Sequence, residues 1–286
     1  MFAIIGVVVV LGAVFGGYLL EGGHFGVIFQ PIELLIIGGA AAGSFLIASP
    51  KAVVLDTIKH GLGVFTAKEF SKQNYLSVLM LMYELMTMAR RGGVVAIEPH
   101  VGKPDKSPLF AKYPLVQKDH EVLTFVCDNL KVLLAGNIEP HHYEALMDVD
   151  ISTRVHHLMI PPTATTKVAD SLPGLGIVAA VLGVVLTMAK INEPPEVLGH
   201  SIGAALVGTF LGVLMCYGFV GPAATNLEHQ AKQKQAVFRM LKICLANYAL
   251  GLAPALAIEA ARRAIPGSAQ PTFEEVEGAM RGGKKQ

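Results

Sequence analysis

Tryptophan is absent from the 286 residues, cysteine occurs three times, and only 16% of residues are charged. Any membrane-interface belt therefore has to use tyrosine or phenylalanine. Cys127, Cys216 and Cys244 are widely spaced, which excludes a CxxC metal signature and a disulfide framework. Soluble globular chains carry about 25% charged residues. The deficit argues against an ordinary soluble enzyme, and the 52% hydrophobic content argues against disorder. A formal net charge of +1 gives no global attraction for nucleic acid. A P-loop, a GxSxG turn and a dinucleotide-binding fingerprint are all missing, so neither a cofactor nor covalent catalysis is expected.

What is present is strongly patterned. Met1–Leu20, Leu172–Ala189 and Ser201–Thr225 carry no charge, and Pro31–Pro50 carries one, Glu33. About 20 helical residues cross a ~30 Å hydrocarbon core, and each run has roughly that length. The fold expected is all-α: a polytopic membrane protein with four transmembrane helices and a helical cytoplasmic domain. The alternative, buried helices of a soluble protein, would leave charge on some face. The first run has no basic residue ahead of it and no small-residue cleavage site, so it is expected to stay as half of a helical hairpin. The resulting segments are 1–50 (spans one and two), 51–169 (cytoplasmic), 170–225 (spans three and four) and 226–286 (cytoplasmic tail).

Basic residues set the orientation. The 21–30 loop has none, and the loop between the third and fourth spans has only Lys190. The 51–170 stretch holds 13 of the 23 Lys and Arg, and the tail after Asn226 holds nine. Both termini and the long middle segment are thus expected on the cytoplasmic side, with a tight exterior turn at Glu193-Pro194-Pro195. The middle segment reads as helices over Tyr75–Arg91, Leu115–Ala135 and Pro140 to about Leu158. The fourth span is expected to continue over Asn226–Leu250. A short helix is expected at PTFEEVE (271–277), and the GGKKQ end is expected to fray. Glycine and alanine crowd the spans, and Gly208-x-x-x-Gly212 predicts close helix approach.

Few residues in the spans carry chemistry. Glu33 belongs either to an ion path or to the interface, reaching headgroups. Asp170 reads as an N-cap ahead of Pro173, a role compatible with a proton exit. Pro173 and Pro222 read as kinks or as hinges. Thr209 either bonds its own helix backbone or holds water in a pore. His141-His142 and His156-His157 point about 100° apart within each pair on a helix, which argues against one chelating face, so no metal is expected. Arg90, Arg91, Glu98 and the Asp148–Asp150 stretch read as solvated charge, the two arginines suiting a helix C-terminus. The third and fourth spans lack a mid-depth acid or base, which a self-sufficient ion transporter needs. Either no ion moves, or a partner helix supplies the titrating group.

The segments VLGAVFGGYLLEGG (10–23), QPIELLIIGGAAAGSF (30–45), EALMDVDI (144–151), DSLPGLGIVAAVLGVV (170–185), LVGTFLGVLMCYGFVGPAAT (206–225) and PTFEEVE (271–277) resemble the MotA family, larger stator subunits of the bacterial flagellar motor. The resemblance covers almost the full length. It implies a homopentameric ring around two MotB-type subunits in the bacterial inner membrane, with the essential proton-binding Asp on the partner. Ions would then cross where that partner helix meets the third and fourth spans. By the same resemblance Arg90 and Glu98 match residues that engage the rotor protein FliG, and Asp150 stands where close relatives have Glu. Pro173 and Pro222 match coupling prolines, Asp170 and Thr209 match ion-path positions, and Glu33 matches a family acid. Sodium-driven relatives carry Thr where this chain has Ala180 and Gly208. Fewer hydroxyl oxygens suit a dehydrated Na⁺ poorly, so the expected ion is H⁺. The rival readings are an ExbB/TolQ-type proton-driven motor subunit and a non-conducting membrane scaffold.

Overall fold

The structure is a computed structural model that describes residues 2–65, 70–136 and 138–282. Helices dominate, and no strand occurs among the described residues. The longer ones are α1 (Phe2–Leu20), α2 (Pro31–Ala48), α3 (Lys51–Gly63), α4 (Lys72–Gly92), α5 (His120–Ala135), α6 (Pro140–Met188), α7 (Pro195–Leu214), α8 (Gly221–Ala249), α9 (Pro254–Arg262) and α10 (Phe273–Gly282). A π-helical turn, Met215–Val220, joins α7 to α8 without a break. Four stretches are long and apolar enough to cross a membrane: Phe2–Leu20, Phe25–Ala48, Pro140–Met188 and Pro195–Ala249. Helix is the physical answer for such segments, because lipid offers no partner to a free N–H or C=O.

The chain divides into two units, Met1–Ala67 with Leu158–Gln230, and Lys68–His157 with Ala231–Gln286. Hydropathy put boundaries at 50, 169 and 225, where charge begins. The units break elsewhere because the helices run on past the end of each apolar run. The first unit is built on Ile37, Ala41, Ala169, Leu172, Ala179 and Cys216. The second has a conventional core, with Leu79, Met82, Met86, Phe125, Phe238, Leu241 and Ile258 fully buried. Phe125 and Phe238 meet with ring centroids 5.2 Å apart.

Several boundaries differ from the sequence reading. The helix expected to end near Leu158 continues to Met188, through Pro161, Pro162 and Pro173. Each proline removes one backbone donor. Thr165 and Thr166 bond back one turn in the usual manner of helical threonine, donating to the Pro161 carbonyl at 2.8 Å and the Pro162 carbonyl at 3.0 Å. The helix expected over Leu115–Ala135 is two, Pro114–Lys118 and α5. Asp119 makes the break, because its carboxylate accepts the Val122 N–H at 3.2 Å and so starts a new helix. The PTFEEVE stretch is a reciprocal cap. Thr272 Oγ1 accepts from Glu275 N at 3.2 Å, and the Glu275 carboxylate accepts from Thr272 N at 2.7 Å. Lys72 then binds that carboxylate at 3.1 Å, tying α10 to the start of α4. Most of the tail expected to fray, residues 283–286, lies outside the described residues.

Candidate functional site

The first unit is organised by a seam between α6 and α7. Gly176, Ala180 and Gly183 recur at helical spacing on α6, as do Ala205, Gly208 and Gly212 on α7. The two stripes meet backbone to backbone. A methyl group on Gly212 would lie 2.6 Å from the Leu172 carbonyl oxygen and 2.8 Å from Gly176 Cα. One on Gly176 would lie 2.8 Å from the Gly208 carbonyl, and one on Gly183 would lie 2.7 Å from Ala205 Cβ. This is the close approach that small residues permit in membrane helices. It brings the two helices into backbone contact at these positions.

Glu33 stands in the first turn of α2, where the helix dipole favours a carboxylate. Its carboxylate turns inward onto the seam rather than out toward headgroups. The place a Gly208 Cβ would take is 2.9 Å from Glu33 Oε2, and that of a Gly183 Cβ is 3.6 Å from Oε1. Oε2 is buried and has no hydrogen-bond partner among the described residues. The glycines thus make the socket for this carboxylate. Sequence reading named Gly208 and the acid but had no means of pairing them. The signal available was the shared 3- and 4-residue spacing of small residues on two helices.

The expected ion-path residues are strung along the seam rather than gathered. Ala180 is buried at the level of Gly208, its amide N 3.0 Å from where the Gly208 Cβ would be. Thr209 is the next residue and half-buried. Asp170 is ten residues before Ala180, about 15 Å down the helix at 1.5 Å per residue. Asp170 is not an N-cap, since it lies inside continuous α6 and its side chain is exposed. The neighbouring Ser171 hydroxyl donates back to the Val168 carbonyl at 2.7 Å. Nor does Thr209 bond its own helix, for its hydroxyl has no partner among the described residues. Thr187 does behave that way, donating to Gly183 at 2.8 Å.

Both prolines lie inside helices. Pro173 is interior to α6. Pro222 follows the π turn, in which the Gly221 N–H donates to the Cys216 carbonyl five residues back. That wider register passes the chain over the carbonyls a proline cannot satisfy, and such turns often mark functional sites in helices. A Cβ on Gly221 would lie 2.8 Å from that same carbonyl, so the turn needs glycine there.

In the second unit, Arg90 and Arg91 end α4, and Glu98 begins a short helix after a turn at Gly93, whose φ is +77°. All three side chains are exposed. Asp150 is different. It pairs with Arg154 at 2.7 Å, and the Arg154 guanidinium lies 5.7 Å from the Phe125 ring centroid and 5.8 Å from that of Phe238. Sequence reading missed Arg154, whose place over two core rings no local pattern reveals.

The histidine geometry departs from expectation as well. His141 and His142 do not diverge, their ring centroids being 4.0 Å apart. Both approach Glu139, at 3.4 and 3.8 Å, because Glu139 lies just ahead of the helix that starts at Pro140 and reaches back to its first turn. All three are exposed, and no fourth ligand joins them among the described residues.

Comparison with known proteins places these features. Residues 4–93 match the family model of Motility protein A, N-terminal, and residues 117–240 match that of the MotA/TolQ/ExbB proton channel family. Motility protein A of Salmonella typhimurium is 39% identical over 277 residues, 97% of this chain and 94% of that protein. The chain belongs to the Motility protein A family. It is therefore a flagellar stator subunit of the proton channel type. Another relative is chemotaxis protein LafT of Vibrio parahaemolyticus, 34% identical with 96% of each chain covered. The fold is that of the C. jejuni MotAB structure, with TM-score 0.78, 18% identity, and 95% of this chain and 98% of that one covered. The Bacillus subtilis flagellar MotAB stator complex gives 0.72, 21% identity, and 90% and 92% covered. The N-terminal match to Motility protein A separates this chain from the ExbB/TolQ branch of the wider family.

Proposed function

We propose that this stator subunit conducts protons only with a MotB-type partner, whose membrane helix supplies the titrating carboxylate, and that the ion flow drives torque on FliG. The observation that carries this is the closed seam. α6 and α7 meet through Gly176, Gly183, Gly208 and Gly212, and neither apolar run holds an acid at mid-depth. A path therefore needs a second surface laid against these helices, and the exposed apolar face of α6 at Ile177, Val181 and Val184 is open to one. In this reading Asp170, Thr209, Ala180 and Glu33 line or support the path, with Asp170 at its cytoplasmic end. Pro173 and Pro222, the latter with its π turn, absorb the accompanying change in helix shape. Five copies surround two partner chains in the inner membrane, embedded in its lipids, with both termini and the charged unit in the cytoplasm. Arg90 and Glu98 face the rotor. Asp150 contributes through its pair with Arg154, which orients the surrounding surface. The transported ion is H⁺, and no cofactor takes part.

One charge crossing ~100 mV releases about 2.3 kcal/mol, so torque requires many coupled crossings. Deleting the gene in its host is expected to give flagellated, paralysed cells, rescued by the gene only when its partner gene is intact. Swimming restored without the partner would refute partner-supplied conduction. Loss of an outer-membrane uptake process with swimming intact would favour the ExbB/TolQ reading. For the rotor contact, Arg90→Glu is expected to impair swimming, with partial rescue by a charge reversal on FliG. Unimpaired swimming counts against the contact.

A further inference from the structure

The second unit contains a cleft away from the membrane seam. It has a volume of about 490 Å³ and lies between α4, the Lys112-Tyr113 turn and α10. Small-molecule sites span about 300–1,000 Å³. Met80, Met88 and Met280 line it with Tyr83 and Tyr113, giving an adaptable apolar wall. Thr87 lines it too, with its Oγ1 buried away from the open space.

The charges around the cleft are unbalanced. Arg91 and Lys112 carry two positive charges and Glu84 one negative, leaving one net positive charge. Glu84 is already satisfied, since it accepts from the Tyr113 hydroxyl at 2.9 Å and from Lys112 at 3.3 Å. Arg91 has no ion pair among the described residues. α10 closes one side through Ala279 and Met280. The start of that helix is held by its reciprocal cap and by Lys72.

We infer that this cleft binds a small amphiphilic monoanion, an aromatic or aliphatic carboxylate whose charged end meets Arg91 and whose tail lies among the methionines. The site is separate from the membrane seam, and because Arg91, Gly92 and Ala96 fall between the proposed rotor-contact residues Arg90 and Glu98, it is tested without the rotor protein present.

The test uses the complete complex with its partner in lipid nanodiscs, read by saturation-transfer NMR of 4-phenylbutyrate and octanoate, with empty nanodiscs as the blank. Saturable binding of at least one carboxylate is expected. Arg91→Gln should weaken it by about tenfold or more, the worth of one hydrogen bond to a charged group. Neutral 4-phenylbutan-1-ol should bind weaker by a similar factor. Unchanged thermal melting confirms that the variant is folded, and the alcohol comparison needs no variant at all. Failure of both carboxylates to saturate in the millimolar range, equal binding of the alcohol, or an unaffected Arg91→Gln complex would each overturn the assignment.

Discussion

Gly212→Ala tests the seam between α6 and α7 most directly. The added methyl would lie 2.6 Å from the Leu172 carbonyl oxygen and 2.8 Å from Gly176 Cα. Both obstacles are backbone, so no side chain can swing away. Relief requires the helices to part by roughly 1 Å, and a gap of that size forfeits a quarter to a half of the dispersion energy at each contact. The same separation loosens Gly176 against Gly208, Ala180 against Gly208, and Gly183 against Ala205. Overpacking of this kind costs about 1–3 kcal/mol, against a helix-propensity gain of about 1 kcal/mol for Gly→Ala. The net expectation is a loss of up to about 2 kcal/mol, and about 1–3 kcal/mol relative to a glycine with open space around it. Gly174 is the control: it lies on α6, the helix that faces Gly212, with nothing within 4 Å of an added Cβ. Gly174→Ala should be neutral or slightly stabilising. The assay is thermal unfolding of the complex in nanodiscs, alongside swimming speed in cells. A Gly212→Ala complex as stable as Gly174→Ala would refute the backbone-contact argument. The same geometry bears on ion choice. Gly208→Thr would press on Glu33 and Ala180, so it is expected to damage packing rather than confer sodium dependence, whereas sodium-dependent torque in the wild type would overturn the proton assignment.

Three other outcomes follow from the second unit. Arg154→Ala should destabilise it by about 2 kcal/mol, since it removes a mostly buried ion pair and a cation over two rings; Asp150→Asn should cost less, and a swimming defect with unchanged melting would instead argue for a direct rotor contact. Thr272→Ala should cost about 1 kcal/mol by breaking the reciprocal cap, read as faster amide exchange confined to α10. Glu259 is held down to about 2, chiefly by its hydrogen bond to Arg262 and also by Arg263. Because the folded pKa is depressed, that stability is full above the ordinary carboxylate range and drains as pH falls from about 4.5 toward 2. Arg262 also donates to the Pro271 carbonyl at 3.1 Å, so acid should loosen α10 early. Glu259→Gln should flatten that acid response, and an unchanged pH dependence of α10 exchange would refute the linkage.

The sequence by itself determined the all-α class and the four membrane-capable helices, because hydrocarbon forces runs of about 20 apolar residues into helix. It also determined the close approach of helices, through the spacing of glycine and alanine, and the lack of a mid-depth carboxylate, which is a matter of composition. Only tertiary structure decided what the small residues face. The socket for Glu33 joins residues 150 and 175 positions away, and no local period encodes that pairing. Helix ends at Asp119 and past Leu158 were equally beyond the sequence. A capping carboxylate and a tolerated proline look alike in one dimension, and the difference lies in where nearby hydroxyls and amides find partners. Asp150 reads as surface charge in the sequence, but in the fold it pairs with Arg154, whose guanidinium lies over two core rings; charge shows in the sequence, whereas burial is a property of neighbours brought together by folding.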